Sequence, residues 1–392
     1  MRAAAFIAVL LFTSSLAASA FAQGDDFDVV EPDEDDIWGP PRLSAAASIG
    51  AFWLAPTVSD ARDRRHDNNN DIQGYLRGAS LSLRADLARR LEARIGLASS
   101  RRSATDFDGD GVNDDPNAGR IVGAIGAAYV AWYVSPAFRV RAGLLPLPWS
   151  QWTTKTWGHS YAVSSGARRY GVTESYDLGV LVRGDFPLGL GGYEAAFVNG
   201  ENDREPETNK GKAGHFVLRV RPLPFGAFRG INLLGSVIHE VQDDPPGDED
   251  HRRTAYSGLL FVPLWLLNFG AEGGVNMITA SSSEAPRPST YASAYVTTDA
   301  WRRVALFARA DVRDPDIRDE HRRASSFSSF IEGASLRSDE DARLYTFLGG
   351  IYGLGGGVYL SPFVTGTFYQ EQYGGEYLPP SVAVHLVTTL VF

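Results

Sequence analysis

The 392-residue chain contains no cysteine, two methionines and only three lysines, Lys155, Lys210 and Lys212. Without cysteine there are no disulfide staples and no thiolate metal sites, so stability has to come from the fold itself. Also missing is any apolar run long enough to cross a bilayer as a helix, which takes about 18 residues or more. The longest candidate, Gly258–Ala271, is interrupted by Pro263 and Asn268. Enzyme signatures are absent too: there is no G-x-S-x-G, no H-E-x-x-H and no Walker loop, and the seven histidines are scattered. The glycine-rich run Gly353–Gly357 falls in an expected short turn, which argues against a phosphate cradle. Basic runs such as Arg62-Asp63-Arg64-Arg65 are interleaved with acid, which argues against a nucleic-acid partner.

The first 22 residues read as a secretory signal peptide. Arg2 supplies the positive charge, Ala3 to Leu11 the short apolar core, and Ala20-Phe21-Ala22 an A-x-A cleavage site. Residues 23–42 carry Asp25, Asp26, Asp28, Glu31, Asp33, Glu34, Asp35 and Asp36 with no base before Arg42. This stretch is expected to be an extended periplasmic linker that repels itself, with a plug or binding tail as the other reading. Once it is set aside, the net charge of −10 largely disappears and the body is near neutral.

From Leu43 onward the chain alternates. Ala93, Ile95 and Leu97 flank Arg94; Val140 and Ala142 flank Arg141; Val180 and Val182 are followed by Arg183; Phe216, Leu218 and Val220 enclose Arg219; Ala308 and Ala310 enclose Arg309. A period of two puts the apolar set on one face of a strand and the charged set on the other. About sixteen such segments are countable, and the links between them alternate in length. Short links are expected at 88–90, 135–136, 187–192, 222–228, 263–264, 299–302 and 354–357. Long links are expected at 60–70, 103–117, 150–173, 201–213, 242–252, 281–288, 314–341 and 371–379. Short turns on one side and long loops on the other are the layout of outer-membrane barrels, and a closed sheet is the only sheet that pairs every backbone group in hydrocarbon.

The expected fold is therefore all-β: residues 43–392 form a transmembrane antiparallel β-barrel of about sixteen strands, within bounds of roughly 14–18, with short periplasmic turns and long extracellular loops. Tyr129, Trp132, Tyr133, Trp149 and Tyr345 are expected near strand ends, as interfacial girdles or equally as core filler. The terminal strand Val384–Phe392 places Phe392, Leu390, Leu386 and Val384 on one face. It resembles the terminal β-signal read by the barrel assembly machinery.

Two segments carry candidate function. The first is Asp106–Asn117, with acids at alternating positions and Gly111 for a sharp turn. It resembles calcium loops of the EF-hand and thrombospondin type 3 kind, in which Asp106, Asp108, Asp110, the Val112 carbonyl and Asp114 would be ligands; Asn117 replaces the final bidentate acid, so binding would be weak. The other reading is a plain solvated acidic loop. The second segment is 151–173, a predicted constriction loop after the fifth strand, which carries Lys155, His159, Arg168 and Arg169 and no acid. With inward Arg139, Arg141, Arg183, Arg219 and Arg221 it would form a positive stripe along a lumen, unless inward acids such as Glu92, Asp177, Asp185, Glu194, Glu240 and Asp311 pair with it.

RVRAGLLPLPW (Arg139–Trp149), YDLGVLVR (Tyr176–Arg183), YEAAFVNGEN (Tyr193–Asn202) and LRVRPLPF (Leu218–Phe225) resemble the phosphate-selective porins of the O and P type. The resemblance implies a sixteen-stranded, trimeric channel for small anions. The leading expectation is a porin in the outer membrane, surrounded by its lipid, with no catalytic residues and no required cofactor beyond a candidate Ca2+ on an extracellular loop. The rivals are a non-conducting structural or adhesive barrel, a barrel hydrolase, and a soluble sugar-binding β-protein. Calcium titration of the refolded protein decides the loop: saturable heat abolished by Asp108→Asn with Asp110→Asn identifies a calcium loop, and no heat identifies a solvated acidic one.

Overall fold

A computed structural model of the chain describes residues 43–56, 73–88, 90–101, 121–159, 164–200, 211–223, 230–242, 251–279, 286–298, 303–314, 342–355, 358–369 and 381–391. The expected signal peptide (1–22), acidic linker (23–42), calcium loop and Phe392 lie outside the described residues. Sixteen strands follow one another: β1 (Leu43–Pro56), β2 (Gln73–Ala88), β3 (Leu91–Arg101), β4 (Ile121–Ser135), β5 (Phe138–Pro146), β6 (Tyr176–Asp185), β7 (Gly191–Val198) and β8 (Lys212–Val220) make the first half. The second half is β9 (Asn232–Gln242), β10 (His251–Leu264), β11 (Leu267–Thr279), β12 (Arg287–Thr298), β13 (Val304–Asp314), β14 (Ala342–Gly355), β15 (Val358–Tyr369) and β16 (Ser381–Val391).

Each strand pairs antiparallel with its sequence neighbours, and β1 pairs with β16 from Ser48 opposite Val391 to Pro56 opposite Ala383, closing the barrel. Closure leaves no strand edge, so every ladder group has a partner without recourse to solvent. The connections alternate as expected. Between strand ends the connections 89–90, 136–137, 265–266 and 356–357 are two residues long, whereas 57–72, 102–120, 147–175 and 315–341 are long.

The alternation read from the sequence sets the two faces. Ile95, Leu97, Val130, Leu178, Val180, Phe197, Phe216, Leu218, Leu306 and Leu348 stand exposed on the outside. Between them Glu92, Arg94, Arg139, Arg141, Asp177, Arg183, Glu194, Arg219, Glu240 and Asp311 are buried inside. A charged interior beneath an apolar, exposed exterior is the reverse of a soluble β-protein and identifies a transmembrane barrel.

Two local expectations are corrected. Of the proposed girdle aromatics only Trp132 is exposed; Tyr129, Tyr133, Trp149 and Tyr345 are buried inside the barrel. Their position in the pleat decides this: Tyr129, Ala131 and Tyr133 share the inward face of β4, while Val130 and Trp132 share the outward one. The turn expected at 263–264 lies at 265–266, because Pro263 still pairs opposite Asn268 and Trp265 takes the positive φ that reverses the chain. Val180 is in the middle of β6 on the outward face. Val180→Arg is expected to destabilise the refolded barrel by about 2–4 kcal/mol. Urea titration in liposomes measures this, and an unmoved midpoint would show that the face does not meet lipid.

Candidate functional site: an inward-folded loop and a charged wall

The connection between β5 and β6 does not run outward. Pro148 fills the first turn of a helix, where its missing N–H costs nothing, and α1 (Pro148–Trp157) follows. It is a weak helix by composition, with Thr153, Thr154 and Thr156 in its second half. The hydroxyls of Thr153 and Thr156 turn back onto the carbonyls of Trp149 and Trp152 at 3.0 and 2.9 Å, which lets these polar side chains be enclosed. Gly158 ends the helix in the left-handed region at φ 71°, its N–H donating to the Thr154 carbonyl. A short second helix, α2 (Gly166–Arg169), comes after it, joined to α1 by a 3.0 Å hydrogen bond between the Thr153 and Ser165 hydroxyls.

The loop is held by the far wall. Trp149 and Trp157 are fully buried and belong to one apolar cluster with Tyr291, Tyr295, Phe307, Tyr345, Phe347 and Phe363, inward residues of β12–β15. Trp157 meets Tyr295 and Phe307 edge-on, with centroids 5.2 and 5.7 Å apart. His159 packs against the same rings, 5.2 Å from Trp157 and 4.8 Å from Phe307, and burial pushes its imidazole down to about 4, so it is neutral at pH 7.

Polar anchors flank that cluster. The N–H of Gly166 donates to Glu272 on β11 at 2.5 Å. Arg309 on β13 donates to the Ser164 carbonyl at 2.6 Å, and Arg253 on β10 to the Val172 carbonyl at 2.9 Å. The Tyr170 hydroxyl donates to Asp311 at 3.0 Å, and Asp311 is itself held by Arg309 through two 2.7 Å bonds. Burial and the neighbouring Asp311 carboxylate push the Tyr170 hydroxyl well above its ordinary range, so it stays a donor. Gly166 is required by this approach: a Cβ there would lie 2.6 Å from the Glu272 Oε1 and 3.1 Å from the Ser293 Cβ.

The residues expected to form one positive stripe separate into two groups. Lys155 is exposed on α1, and its Nζ lies 6.0 Å from the Trp152 ring centroid. Arg183 and Arg219 lie over the same ring at 5.9 and 4.7 Å. Arg139 is directly opposite Arg183 in the β5–β6 register, and Arg141 is over Tyr129 at 5.3 Å. Arg221 follows β8 and donates to Asn232 at 3.1 Å. Arg168 and Arg169 are on α2 toward the other wall, where the Arg169 guanidinium lies 4.4 Å from the Tyr345 ring and 5.2 Å from that of Phe347.

Acids meet most strand arginines. Arg183 contacts Asp185 at 3.5 Å and Glu194 at 3.4 Å, Arg219 contacts Asp185 at 3.0 Å, and Arg253 contacts Glu240 at 3.4 Å. Arg84 bridges Asp86 and Glu92 at 3.2 and 3.5 Å, and Glu92 also accepts from the Tyr133 hydroxyl at 2.9 Å. Asp177 is turned instead to the backbone N–H groups of Leu178 and Gly200, both at 2.7 Å. The strand walls are thus close to charge balance, and the cations of the loop are the excess. Among the described residues no cluster of acids and histidines suits a metal, and the proposed ligands Asp106, Asp108, Asp110, Val112 and Asp114 lie outside them.

Trp152, Glu272 and Tyr170 were not singled out from the sequence. Their partners are 42, 106 and 141 positions away, and no local spacing signals such contacts.

No protein-family model matches the chain, and no curated protein is similar to it in sequence. Solved structures resemble it in fold. OmpF of Salmonella typhi, in complex with daunomycin, has a TM-score of 0.61 at 8% identity, covering 89% of this chain and 97% of that one. An anion-selective porin from Comamonas acidovorans has a TM-score of 0.58 at 11% identity, covering 90% and 100%. The trimer form of the outer-membrane protein OmpT of Vibrio cholerae has a TM-score of 0.57 at 8% identity, covering 90% and 100%. The fold is that of a porin-type β-barrel.

Removing the Glu272 anchor is expected to loosen the loop and leave the barrel closed. A lost hydrogen bond to a buried carboxylate is worth about 1.5–3 kcal/mol, so Glu272→Ala should speed amide exchange over 164–172 roughly tenfold or more. Hydrogen exchange read by mass spectrometry checks this, and unchanged rates over 164–172 would show that the anchor does not hold the loop.

Proposed function

We propose that the protein is an outer-membrane porin, a passive diffusion channel for small hydrophilic solutes with a preference for anions. One observation carries the reading: a helix-bearing loop is drawn inside a closed barrel and held against β7–β15, which leaves the side of the charged wall of β2–β6 for a passage. Arg94, Arg139, Arg141 and Arg183 on that wall keep less than a tenth of their surface exposed, in keeping with a narrow passage that has a size limit. Strand charges are nearly balanced, so the sign of selectivity rests on Lys155, Arg168 and Arg169 in a segment free of acid. The work is done by electrostatic attraction and size, with no chemical step.

Phosphate-type selectivity of the kind the β5–β8 segments resemble is one form of this proposal. So is a homotrimer, as in the trimer form of the Vibrio OmpT; the outward face of β9–β12 offers a flat, small-residue row, Gly235, Gly258, Gly273 and Ala292, for close approach of a second copy in lipid. Insertion would use β16 and Phe392 as the terminal β-signal, and the acidic loop 106–117 would hold a weak external Ca2+.

Reversal potential in a planar bilayer under a salt gradient tests the reading. Stable steps with an anion-side reversal are expected, moved toward the cation side by Lys155→Gln with Arg168→Gln and Arg169→Gln. Steps with cation-side reversal in the parent protein would remove the anion preference. A folded, heat-modifiable barrel giving no steps would leave a structural or adhesive barrel in its place.

A further inference from the structure

Within the proposed channel, Trp152 is the one loop aromatic of α1 that is not sealed into the apolar cluster. Trp149 and Trp157 point into the far wall and are fully buried, whereas Trp152 packs against the edge of that cluster, is only half-buried, and meets residues of β6–β8. Its orientation is fixed. The indole Nε1 donates to Glu194 Oε1 at 3.2 Å, and the same carboxylate receives Arg183 at 3.4 Å. Three cations surround the ring: Arg219 at 4.7 Å, Arg183 at 5.9 Å and the exposed Lys155 at 6.0 Å from its centroid.

Such an arrangement exceeds what the barrel needs for cohesion. Asp185 takes Nη2 of Arg219 at 3.0 Å, and the Nε of Arg219 has no hydrogen-bond partner among the described residues although the side chain is more than nine-tenths buried. The Nε itself is closed off, but the Arg219 guanidinium stacked on a half-buried indole, with Arg183 and the exposed Lys155 beside it, makes a cationic surrounding that favours an anion. Lys155 adds a charge that no carboxylate within 151–173 balances. An anion with an apolar ring fits both halves of the site: its charge on the exposed Lys155 in the field of Arg219 and Arg183, its flat body against the indole. A bare inorganic anion would use the charge alone.

We propose that Trp152, Lys155, Arg183 and Arg219 form a binding site for small aromatic carboxylates in the passage. This deepens the porin reading and rests on it. The site would slow such solutes by holding them, so they should reduce the current carried by chloride.

The test measures chloride conductance of the reconstituted full chain with benzoate or acetate added at equal concentration. Both carry one negative charge, and only benzoate has a ring. Half-block by benzoate is expected at a concentration roughly fivefold lower than by acetate, the size of one aromatic contact. Trp152→Ala, checked for heat-modifiable folding, should bring the two together, and Trp152→Phe should restore part of the gap. Equal block by the two anions in the parent protein overturns the aromatic site while leaving the porin intact. A gap that persists in Trp152→Ala places the contact elsewhere and also overturns it. Absence of any conductance is the distinct failure of the porin reading.

Discussion

Hydrocarbon offers a backbone N–H or C=O nothing to bond with, and the rest of this structure depends on how the chain meets that condition. Helices would satisfy it within one segment, but no apolar run here is long enough, and none of the described helices spans a membrane. The strands satisfy it collectively, through the β1–β16 pairing that closes the sheet. Closure then dictates the side-chain pattern. Each strand must place apolar groups toward lipid at every second position, and the alternate positions are released from that demand. Arginine, aspartate and glutamate occupy them.

A barrel interior filled with charge creates its own difficulty. An ionised side chain out of water is costly unless paired, and sixteen strands turn many of them toward one axis. The chain meets this in two ways. On the β2–β8 side, arginines and carboxylates neutralise one another, as at Arg84 with Asp86 and Glu92, and at Arg183 and Arg219 with Asp185. On the β12–β15 side six inward aromatics, Tyr291, Tyr295, Phe307, Tyr345, Phe347 and Phe363, gather into one patch, and the inward-folded loop covers it with Trp149, Trp157 and Tyr170. The buried Arg309–Asp311 pair on β13 sits within that second side, holding both the Ser164 carbonyl and the Tyr170 hydroxyl.

How much of this the sequence revealed follows from the range of the interactions. The strands, their faces and the alternation of short and long connections are written in period-two patterning, which is local, and the observed turns lie within a few residues of the expected ones. The inward acids also follow from local parity; Glu92, Glu194 and Glu240 meet arginines on a neighbouring strand, Asp185 and Asp311 arginines on their own, and Asp177 the backbone N–H groups of Leu178 and Gly200. The interior of the long loop was not legible. A helix of Pro, Trp and Thr has little intrinsic propensity and forms because tertiary burial supplies what propensity does not. The anchors at Glu272, Arg253 and Arg309 join the loop to strands that come long after it in the chain, so no spacing rule reaches them. Girdle aromatics were misplaced for a smaller reason: an aromatic near a strand end can face either way, and only its parity with Ala131 or Val130 decides.

The division of the interior has a consequence for selectivity. If the wall charges had been unpaired, the lumen field would have been set by the strands and would be insensitive to the loop. Because Asp185, Glu194, Glu240 and Glu92 already answer the strand arginines, the field is a small difference between large opposing charges. In the proposed channel, the three loop cations would then decide its sign. The loop is held to the barrel by one apolar cluster and a few hydrogen bonds rather than by a ladder. On the proposed channel reading, selectivity and stability fall in different parts of the molecule: closure of the sheet maintains the barrel, and a separately anchored segment would set what the passage attracts. Substitutions in the loop can alter the field without touching the pairing that closes the sheet.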